Sequence, residues 1–376
     1  MNILNNIGNG FIRIMKNTCI LITWLMGIIL LISAYSGYIT PLHSSKPAIL
    51  GMIFPIALVL NIIILILWAC ARKISMIILV IIFLGACFGQ IKTFSPLNFS
   101  ESNIQPDDNS FKVLTYNVMN FDDMDLNQDS IGNRTLRYIL DKDADIVVMQ
   151  EASAKEKMDK LKKINHLIPE LNKKYPYREH RLKDLVIMSK YPYQIDNEEI
   201  TSNAKQKSVA YRLNINGKTL YLINVHLESL NLTESDKALY RSTTDFSKIT
   251  DNLSEKTVED VKSSLLSKLS TAFKKRAVQA DDLKQYINSL NGKNVILCGD
   301  FNDTPSSYSY LTIKGDDMKD AYEECALGPT ITFHANRFYF RIDHVLYKGD
   351  VEAVNIERGN TKSSDHYPLL ITFKWK

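Results

Sequence analysis

The first hundred residues of this 376-residue chain contain no aspartate and no glutamate. They contain six lysines and arginines and therefore carry a formal charge of +6. The whole chain has 45 basic and 41 acidic residues, so the remainder has 39 bases against 41 acids, a charge of −2. A remainder so close to neutral lacks the broad positive field of a dedicated duplex-DNA-binding domain, although a local basic groove is compatible with it.

Long apolar runs occupy the segment that lacks acids. Three of them, Cys19–Ile39, Ala48–Ala71 and Ile74–Phe88, are nearly continuous. About 20 apolar residues cross a bilayer, whereas the apolar part of a cleaved signal peptide, roughly 7–15 residues, would explain only the first run. A buried soluble hairpin is the alternative. We predict a membrane anchor of three transmembrane helices over residues 1–92, followed by a linker over residues 93–110.

Positive residues flank these runs unequally and predict an orientation. Arg13 and Lys16 precede the first run, and Arg72–Lys73 fill the loop after the second. The loop between the first two runs has only Lys46. Because cytoplasmic loops are enriched in Lys and Arg, we expect the N-terminus inside, and three crossings then place everything after Ile91 outside the cytoplasm.

Cysteine is scarce. Three of the five cysteines lie within the apolar runs, which leaves Cys298 and Cys325 for the rest of the chain. An extracytoplasmic domain could bridge these two, but their spacing does not require a bridge. No CxxC pair occurs, so nothing in the sequence indicates a zinc site.

From residue 111 onward, strand and helix patterns alternate. Asn216-Gly217 joins two alternating apolar runs, which is a strong hairpin signal. Local hairpins mixed with helical crossovers favour two packed sheets with helices outside. We therefore predict an α/β fold, a four-layer α/β sandwich, for residues 111–376. Further elements are expected as strands near Thr330 and Arg341, a helix over Lys155–Lys174, and a polar, then helical, insertion over residues 229–290.

The segment Asn294–Pro305 carries the most informative pattern. A buried strand stops at Gly299 and delivers Asp300 and Asn302 at its C-terminal end. Strand ends in α/β folds collect catalytic groups. A carboxylate and a carboxamide two residues apart can orient a water and the phosphate that it attacks. An ordinary Gly-Asp turn fits the same residues.

Polar, acidic or imidazole groups end other predicted strands as well. These segments are Thr115–Asn117, Val147–Glu151, Asn224–Glu228, and the pair Arg341–His344 with Ser364–His366. In kind, order and context, from about Phe111 to the C-terminus, they resemble the endonuclease/exonuclease/phosphatase superfamily. Its members are Mg²⁺-dependent phosphoesterases and include DNase I-like nucleases, AP endonucleases, sphingomyelinases and inositol-phosphate phosphatases.

The resemblance implies a metal site for Mg²⁺ or Mn²⁺. Glu151 would be the main ligand, Asn117 would help to orient the metal site, and Asp365 would bind the ion directly or through water. Mg²⁺ prefers oxygen ligands and keeps much of its water, so one or two carboxylates suffice. The alternatives are a Glu151 that opens the next helix and an Asn117 that caps or turns the chain.

The resemblance also implies a catalytic set. Asp300 would polarise the attacking water, and Asn302 would fix the orientation of that water and touch the phosphate. His366 would contact the scissile phosphate, with Asp343 holding its tautomer. His226 would stabilise or protonate the leaving oxygen.

Some positions depart from the family pattern. Asp184 stands where many members have Gly, and it either contacts His226 or is exposed. His344 stands where Tyr or Phe is frequent and is expected to pack. No Trp precedes Gly299, which counts against an inositol phosphate as substrate, and the imidazole of His226 in place of a Tyr counts against abasic DNA.

The segment after His226, with Arg276–Ala280, is similar to a helical insertion of membrane-tethered bacterial members. We therefore expect an integral protein of a bacterial inner or plasma membrane whose extracytoplasmic domain hydrolyses phosphodiester or phosphomonoester bonds. The substrate could be a nucleic acid, a lipid head group (a sphingomyelinase-like activity) or another small phosphoester. A non-catalytic binding module is the competing class, and the intact set of polar positions argues against it. The sequence indicates no protein partner.

Overall fold

Two six-stranded sheets pack face to face in the chain from residue 110 onward. They are seen in a computed structural model that describes residues 2–99, 109–122, 133–153, 167–178, 184–201, 208–230, 255–335 and 339–376. The strands are β1 (Ser110–Asn117), β2 (Ile146–Gln150), β3 (Tyr177–Arg178), β4 (Val186–Ser189), β5 (Tyr193–Asn197), β6 (Ser208–Ile215), β7 (Lys218–His226), β8 (Asn294–Asp300), β9 (Lys319–Asp320), β10 (Asp343–Lys348), β11 (Val351–Arg358) and β12 (Leu369–Trp375).

Both sheets are mixed. The first has the order β11-β12-β1-β2-β4-β3 and the second the order β5-β6-β7-β8-β10-β9. In each sheet one central pair is parallel, β1 with β2 and β7 with β8, and the other described pairs are antiparallel. The last strand, β12, pairs with β1, so the end of the chain lies beside the beginning of the first sheet.

Helices cover the outer face of each sheet and complete four layers. The described α-helices are Asn2–Tyr35, Lys46–Gly51, Phe54–Cys70, Ile74–Ala86, Phe88–Phe94, Arg134–Lys142, Ile168–Lys174, Glu255–Ser289, Tyr308–Lys314 and Ala321–Cys325. Arg134–Lys142 and Ile168–Lys174 pack on the first sheet, and Glu255–Ser289 and Tyr308–Lys314 pack on the second. The prediction of two packed sheets with flanking helices is confirmed.

The main core lies between the sheets. Val113, Val148 and Ile187 of the first sheet meet Leu222 and Ile296 of the second, and all five are fully buried. Each such side chain contributes roughly 1.5–3 kcal/mol when it is buried. The predicted hairpin fixes the register of one edge: Asn216 and Gly217 have φ values of 53° and 81°, as a type I′ turn requires, and join β6 to β7.

The count of three transmembrane helices is wrong. The described residues contain one straight helix that is long and apolar enough to cross a membrane, Arg13–Tyr38, with 26 residues and a mean hydropathy of 2.2. The pair Ile74–Ala86 and Phe88–Phe94 reaches that length only across a bend of 67°. The helix Phe54–Cys70 has 17 residues, about 25 Å at 1.5 Å per residue, less than the ~30 Å of a hydrocarbon core. Signal sequences and buried helices of soluble proteins share such properties.

Proline explains why the second apolar run yields a short helix. The run splits into Lys46–Gly51 and Phe54–Cys70, and Pro55 stands in the first turn of the second piece. Proline lacks the N–H that would continue a preceding helix and is favoured where a helix begins. The apolar residues are therefore divided between two helices, which hydropathy alone does not reveal.

Some predicted segments differ or are described only in part. The chain near Thr330 is not a strand among the described residues; an isolated bridge joins Phe333 to Phe340 instead, and β10 begins at Asp343. Of the predicted helix Lys155–Lys174, residues 155–166 lie outside the described residues, as do residues 231–254 of the predicted insertion and residues 100–108 of the predicted linker. Cys298 and Cys325 are both free thiols.

Candidate active site

The carboxyl ends of the two parallel strand pairs meet at one edge of the sandwich. Asn117 ends β1, and Glu151 follows β2 directly. In the other sheet, His226 ends β7 directly opposite Asp300, which ends β8. Because parallel strands end at the same edge, each sheet delivers two polar groups there. The segments that the sequence singled out therefore converge.

A buried hydrogen bond joins the two sheets beneath this edge. Gln150 Nε2 donates to Asn224 Oδ1 over 2.7 Å, and Asn224 Nδ2 donates to the carbonyl oxygen of Met149 over 3.0 Å. Gln150 and Asn224 are fully buried, and a hydrogen bond between buried side chains favours one arrangement of the two sheets, although Gln150 Oε1 has no partner among the described residues. The two halves of the site are thus held in register. The sequence did not indicate this pair.

Asp300 lies at the centre of the site. The residue is 1% exposed, and its Oδ2 accepts from Asn117 Nδ2 at 3.0 Å and from Asn302 Nδ2 at 3.2 Å. Its Oδ1 accepts from the backbone N–H of Asn302 at 2.7 Å. Burial raises the pKa of Asp300 to about 6, although the charges of His366 and His226 oppose that rise. A carboxylate with such a pKa is suited to take a proton near neutral pH.

His366 and Asp343 form a buried pair beside Asp300. His366 Nδ1 lies 2.8 Å from Asp343 Oδ2, and its Nε2 lies 3.6 Å from Asp300 Oδ2. The backbone N–H of Asp343 donates to the hydroxyl of Thr332 over 3.0 Å. Burial disfavours the imidazolium, but the charges of Asp343 and Asp300 outweigh it and raise the pKa of His366 to about 10. The ring is therefore a cation that faces the site.

His226 forms a second pair on the other side of Asp300. Its Nδ1 lies 2.9 Å from Asp184 Oδ2, and its Nε2 lies 3.8 Å from Glu151 Oε1 and 3.9 Å from Asp300 Oδ2. Burial opposes the charge, but the hydrogen bond to Asp184 and the surrounding carboxylates raise the pKa of His226 to about 9. Nε2 is buried and has no hydrogen-bond partner among the described residues. An unpaired buried donor is costly, so this atom marks the place of a ligand oxygen.

Glu151 offers the open carboxylate of the site. Its side chain is 33% exposed, and Oε1 lies 3.3 Å from Asn117 Nδ2. Glu151 and Asn302 have φ values of 51° and 52°, which non-glycine residues adopt at a cost of order 1–3 kcal/mol. Strain of this kind is found where the surrounding structure fixes a functional side chain.

These donors fit a hard divalent cation. Oxygen ligands from Glu151 and a solvent-open side suit Mg²⁺ or Mn²⁺, which retain water. Asp300, Asp343 and His366 also have potential ligand atoms within 4.8 Å of one another. We favour the Glu151 side, because His366 Nδ1 and Asp343 Oδ2 are already bonded to each other, whereas the Glu151 carboxylate is partly exposed.

Asp365 differs from the other predicted site residues. Its carboxylate accepts from the Ser364 hydroxyl at 3.4 Å and has no hydrogen bond to the remaining predicted ligands in the described chain. Ser364 also donates to the carbonyl oxygen of Asn117 over 2.7 Å, so this loop is fastened beside the site. The structure therefore brings Asp365 near Asn117 through Ser364.

Sequence reasoning missed the role of Arg276 in holding the site loops. Arg276 lies on the helix Glu255–Ser289 and is buried, with Nε 3.1 Å from Asp303 Oδ2. Its Nη1 donates to the carbonyl oxygen of Glu228 over 2.9 Å. One guanidinium thus links the segment after Asn302 to the segment after His226. An arginine among apolar helix positions was the only available signal.

His344 packs, as the sequence predicted. Its ring lies between Phe301 and Tyr310, with centroid distances of 4.9 and 4.8 Å. Its Nε2 lies 2.9 Å from the carbonyl oxygen of Asp303. Burial and the neighbouring Arg341 lower the pKa of His344 to about 4, so the ring is neutral, in contrast to the two site histidines.

The fold and this site define the chain's class. The sequence model of the Endonuclease/Exonuclease/phosphatase family matches residues 114–366, and the chain belongs to that family. Members of the family are phosphoesterases and nucleases, which often depend on a metal ion. A second model, for a domain of unknown function, matches residues 16–94. No curated protein sequence matches the chain.

Several solved structures are similar to the chain. TDP2 from D. rerio, complexed with a single-strand DNA product, is 16% identical, with 70% of this chain and 99% of that chain covered and a TM-score of 0.46. The human Nocturnin catalytic domain with bound sulfate is 16% identical, with 73% and 97% covered and a TM-score of 0.45. An endonuclease/exonuclease/phosphatase from Bacteroides vulgatus is 19% identical, with 71% and 99% covered and a TM-score of 0.44.

Proposed function

We propose that this protein is a membrane-anchored, Mg²⁺- or Mn²⁺-dependent phosphoesterase that hydrolyses a phosphodiester. The observation that carries the proposal is the pair of buried imidazoles, His366 and His226, whose Nε2 atoms face Asp300 from two sides at 3.6 and 3.9 Å. A pentacoordinate phosphoryl group carries extra negative charge on its oxygens. Two cationic donors around a carboxylate that accepts protons match that charge.

Each side chain has a role in the proposed reaction. Asp300 accepts a proton from the attacking water, and Asn302 holds that carboxylate by two hydrogen bonds. The new bond forms between the water oxygen and phosphorus, and the bond from phosphorus to the leaving oxygen breaks. His226 donates its Nε2 proton to the leaving oxygen, and His366 donates to a non-bridging oxygen. The proton on Asp300 then returns to His226 through solvent.

Glu151 would hold the divalent ion, with Asn117 and Asp365 beside it. The bound ion would supply Lewis-acid stabilisation of the phosphoryl oxygens. The fit rests on the oxygen donors and the open face of Glu151, whose side chain is 33% exposed. His226 Nε2, the proposed acid, lies 3.8 Å from Oε1 of Glu151, the residue that would hold the ion.

The proposed anchor is the N-terminal group of helices. Arg13–Tyr38 is long and apolar enough to cross a bilayer. Large apolar side chains on these helices are exposed, among them Leu21, Ile66 and Ile82. An exposed apolar surface of this size requires a covering, and lipid fits the absence of acidic residues. We propose a bacterial inner or plasma membrane, with the phosphoesterase domain outside the cytoplasm. A reporter fused after Ser100 should then give an extracytoplasmic signal, and a cytoplasmic signal would reverse the orientation.

The activity is tested with the full-length protein in detergent and bis(p-nitrophenyl) phosphate. We expect hydrolysis with Mg²⁺ or Mn²⁺, its loss in EDTA and its return when metal is restored. Asp300→Asn should lower turnover by about 10²-fold or more, whereas Asp316→Asn, an exposed aspartate, should not. Full turnover in EDTA, or equal turnover of the two variants, would refute the proposal.

A second candidate, a nuclease, would be favoured by faster cleavage of single-stranded DNA than of the small diester.

A further inference from the structure

A cavity of about 500 Å³ lies between the N-terminal helices and the phosphoesterase domain. Phe54, Ile56 and Phe94 line it from the helices, and Pro305, Ile331 and Phe340 line it from the domain. A cavity of this size holds a small ligand or a hydrocarbon chain. Its walls are mainly apolar, and six of its sixteen lining residues come from the segment that we propose to lie in the membrane.

The cavity adjoins the candidate active site. Pro305 follows Asn302 by three residues in the loop that leaves β8. Phe340 pairs through its backbone with Phe333, whose ring lies 5.0 Å from that of His366. The guanidinium of Arg358, another lining residue, lies 4.2 Å from the ring of Tyr367, the residue after His366. A ligand that fills the cavity therefore has the catalytic loops on one side.

The N-terminal helices place this cavity at their domain-facing ends. Asn61 Nδ2 donates to the carbonyl oxygen of Met26 over 3.0 Å, and Trp68 Nε1 donates to Thr23 Oγ1 over 2.8 Å, so the first and third helices run antiparallel. Phe54 begins the third helix, and its ring contacts Phe94 with centroids 6.0 Å apart. A lipid in the leaflet next to the domain would meet the cavity at this level.

Arg358 gives the cavity wall a positive charge. Arg358 Nη1 donates to the carbonyl oxygen of Gly359 over 3.2 Å, and no described carboxylate forms an ion pair with Arg358. A guanidinium without a carboxylate partner suits the anionic oxygens of a phosphate. The cavity thus combines an apolar chamber with a guanidinium that lies beside Tyr367, the residue after His366.

We propose that this cavity binds one acyl chain of a phospholipid, with Arg358 facing the phosphate at the head of the chain. The inference rests on the proposed function and names its substrate class, a membrane phospholipid whose phosphodiester is presented to His366 and Asp300. Hydrolysis adds water across one phosphorus–oxygen ester bond and releases an alcohol and a phosphate monoester. A water-soluble phosphodiester reaches the site without using the cavity.

The experiment compares two substrates of the full-length protein in nanodiscs with metal. The substrates are phosphatidylglycerol in a phosphatidylcholine bilayer and soluble bis(p-nitrophenyl) phosphate. Ile331→Trp fills the cavity, and Arg358→Ala removes the cation while leaving the cavity open. Matched controls are Ile195→Trp on the edge strand β5 and Arg212→Ala, both exposed. We expect kcat/KM for the lipid relative to that for the soluble ester to fall by about tenfold or more in both cavity variants and in neither control.

A photoactivatable phosphatidylglycerol, labelled in its acyl chain, reports binding separately from catalysis. We expect crosslinks to the cavity-lining peptides, and their loss in Ile331→Trp. Hydrolysis of the soluble ester without lipid hydrolysis, or an unchanged substrate ratio in Arg358→Ala, would overturn the substrate class. Absence of crosslinks at the cavity would overturn the site itself. Crosslinks without hydrolysis of either ester would support the lipid site and reject the proposed function.

Discussion

The two histidine–carboxylate pairs of the site have the same chemistry but different surroundings. The distances are nearly equal, 2.8 Å for His366–Asp343 and 2.9 Å for His226–Asp184. The carboxylates differ: the side chain of Asp343 is 4% exposed and that of Asp184 is 36% exposed. A charge pair away from water is screened less than one at the surface.

This difference in burial favours a different role for each imidazole in the proposed reaction. Burial opposes the charge of both rings, but Asp343 and Asp300 raise the pKa of His366 to about 10, and Asp184, Asp300 and Glu151 raise that of His226 to about 9. The imidazole held by the buried Asp343 suits a fixed charge on the phosphate. The imidazole held by the partly solvated Asp184 suits proton donation to the leaving oxygen. The four predictions below test this division, from the largest expected effect to the smallest.

The buried pair should act as one unit. We expect His366→Ala and Asp343→Ala each to lower kcat by about 10²-fold or more, and the double variant to lose little beyond that, because effects within a catalytic unit are not additive. The measurement is a double-mutant cycle on bis(p-nitrophenyl) phosphate, with melting curves to verify folding. The exposed ion pair Lys142–Glu357 provides the control cycle, which should show additive and small effects. Multiplicative losses for His366 and Asp343 would show that the two act independently.

Removing the charge of Glu151 should affect the His226–Asp184 pair but not the His366–Asp343 pair. Glu151→Gln keeps the shape of the side chain but removes its charge, so kcat should fall by about 10²-fold through loss of metal binding. In the metal-free protein the same change should lower the pKa of His226, which the charge of Glu151 helps to raise. It should leave the pKa of His366 nearly unchanged. Histidine NMR titration measures both values, and Glu170→Gln, an exposed glutamate, is the control. Equal shifts of the two histidines would argue against the division of tasks.

Removing the carboxylate charge should lower kcat less at the partly exposed Asp184 than at the buried Asp343. We expect Asp184→Asn to lower kcat by about tenfold and Asp343→Asn by about 10²-fold, because water can replace part of the interaction at Asp184 but not at Asp343. Steady-state kinetics on the soluble ester distinguish the two, with Asp316→Asn as the control. A larger loss at Asp184 would reverse the assignment of the more tightly held imidazolium.

Stability should fall as the pH rises above neutrality in the metal-free protein. Both site histidines have folded-state pKa values above the usual 6.5, so the folded state binds these protons more tightly than the unfolded chain does. Their contribution is complete below pH 6.5 and is lost as the pH rises to about 9 for His226 and about 10 for His366. The slope is about 1.4 kcal/mol per pH unit at most for each group. Denaturant unfolding in EDTA at pH 6, 8 and 10 measures it, and His366→Gln should flatten the curve more than His226→Gln. Stability that increases over this range would contradict the two charged pairs.

Strand ends were predictable from sequence because an apolar run that stops at a polar group leaves few alternatives. The segments that end in Asn117, His226 and Asp300 are examples. Contacts between distant segments were not predictable. Asp184 had two open interpretations, since a carboxylate before a strand fits solvent equally well, and only the packing of the two sheets brings it to His226. The contacts of the buried Arg276 could not be predicted for the same reason. Helical periodicity can place an arginine on the inner face of a helix, but it cannot show which residues that arginine contacts.

In the N-terminal region, the sequence predicted where the apolar segment lies but not how its helices are divided. Hydropathy correctly located the apolar segment, but it overestimated the number of spans, because composition does not report where a helix begins or bends. Pro55 divides the second run, and a break at Cys87 bends the third by 67°. The assignment of Asp365 as a ligand rests on the family resemblance, and in the described structure its carboxylate accepts a hydrogen bond from Ser364.

Because β12 pairs with β1, the first sheet is completed by a strand that is synthesised after all the others. Ser110 lies opposite Lys374 and Thr115 opposite Leu369, so the strand that carries Asn117 acquires its second neighbour only from the last residues of the chain. His366 precedes that final strand by three residues. During synthesis the other candidate site residues emerge before His366, and β1 then has β2 but not β12 beside it. We therefore expect the candidate site to be complete only after β12 has docked on β1.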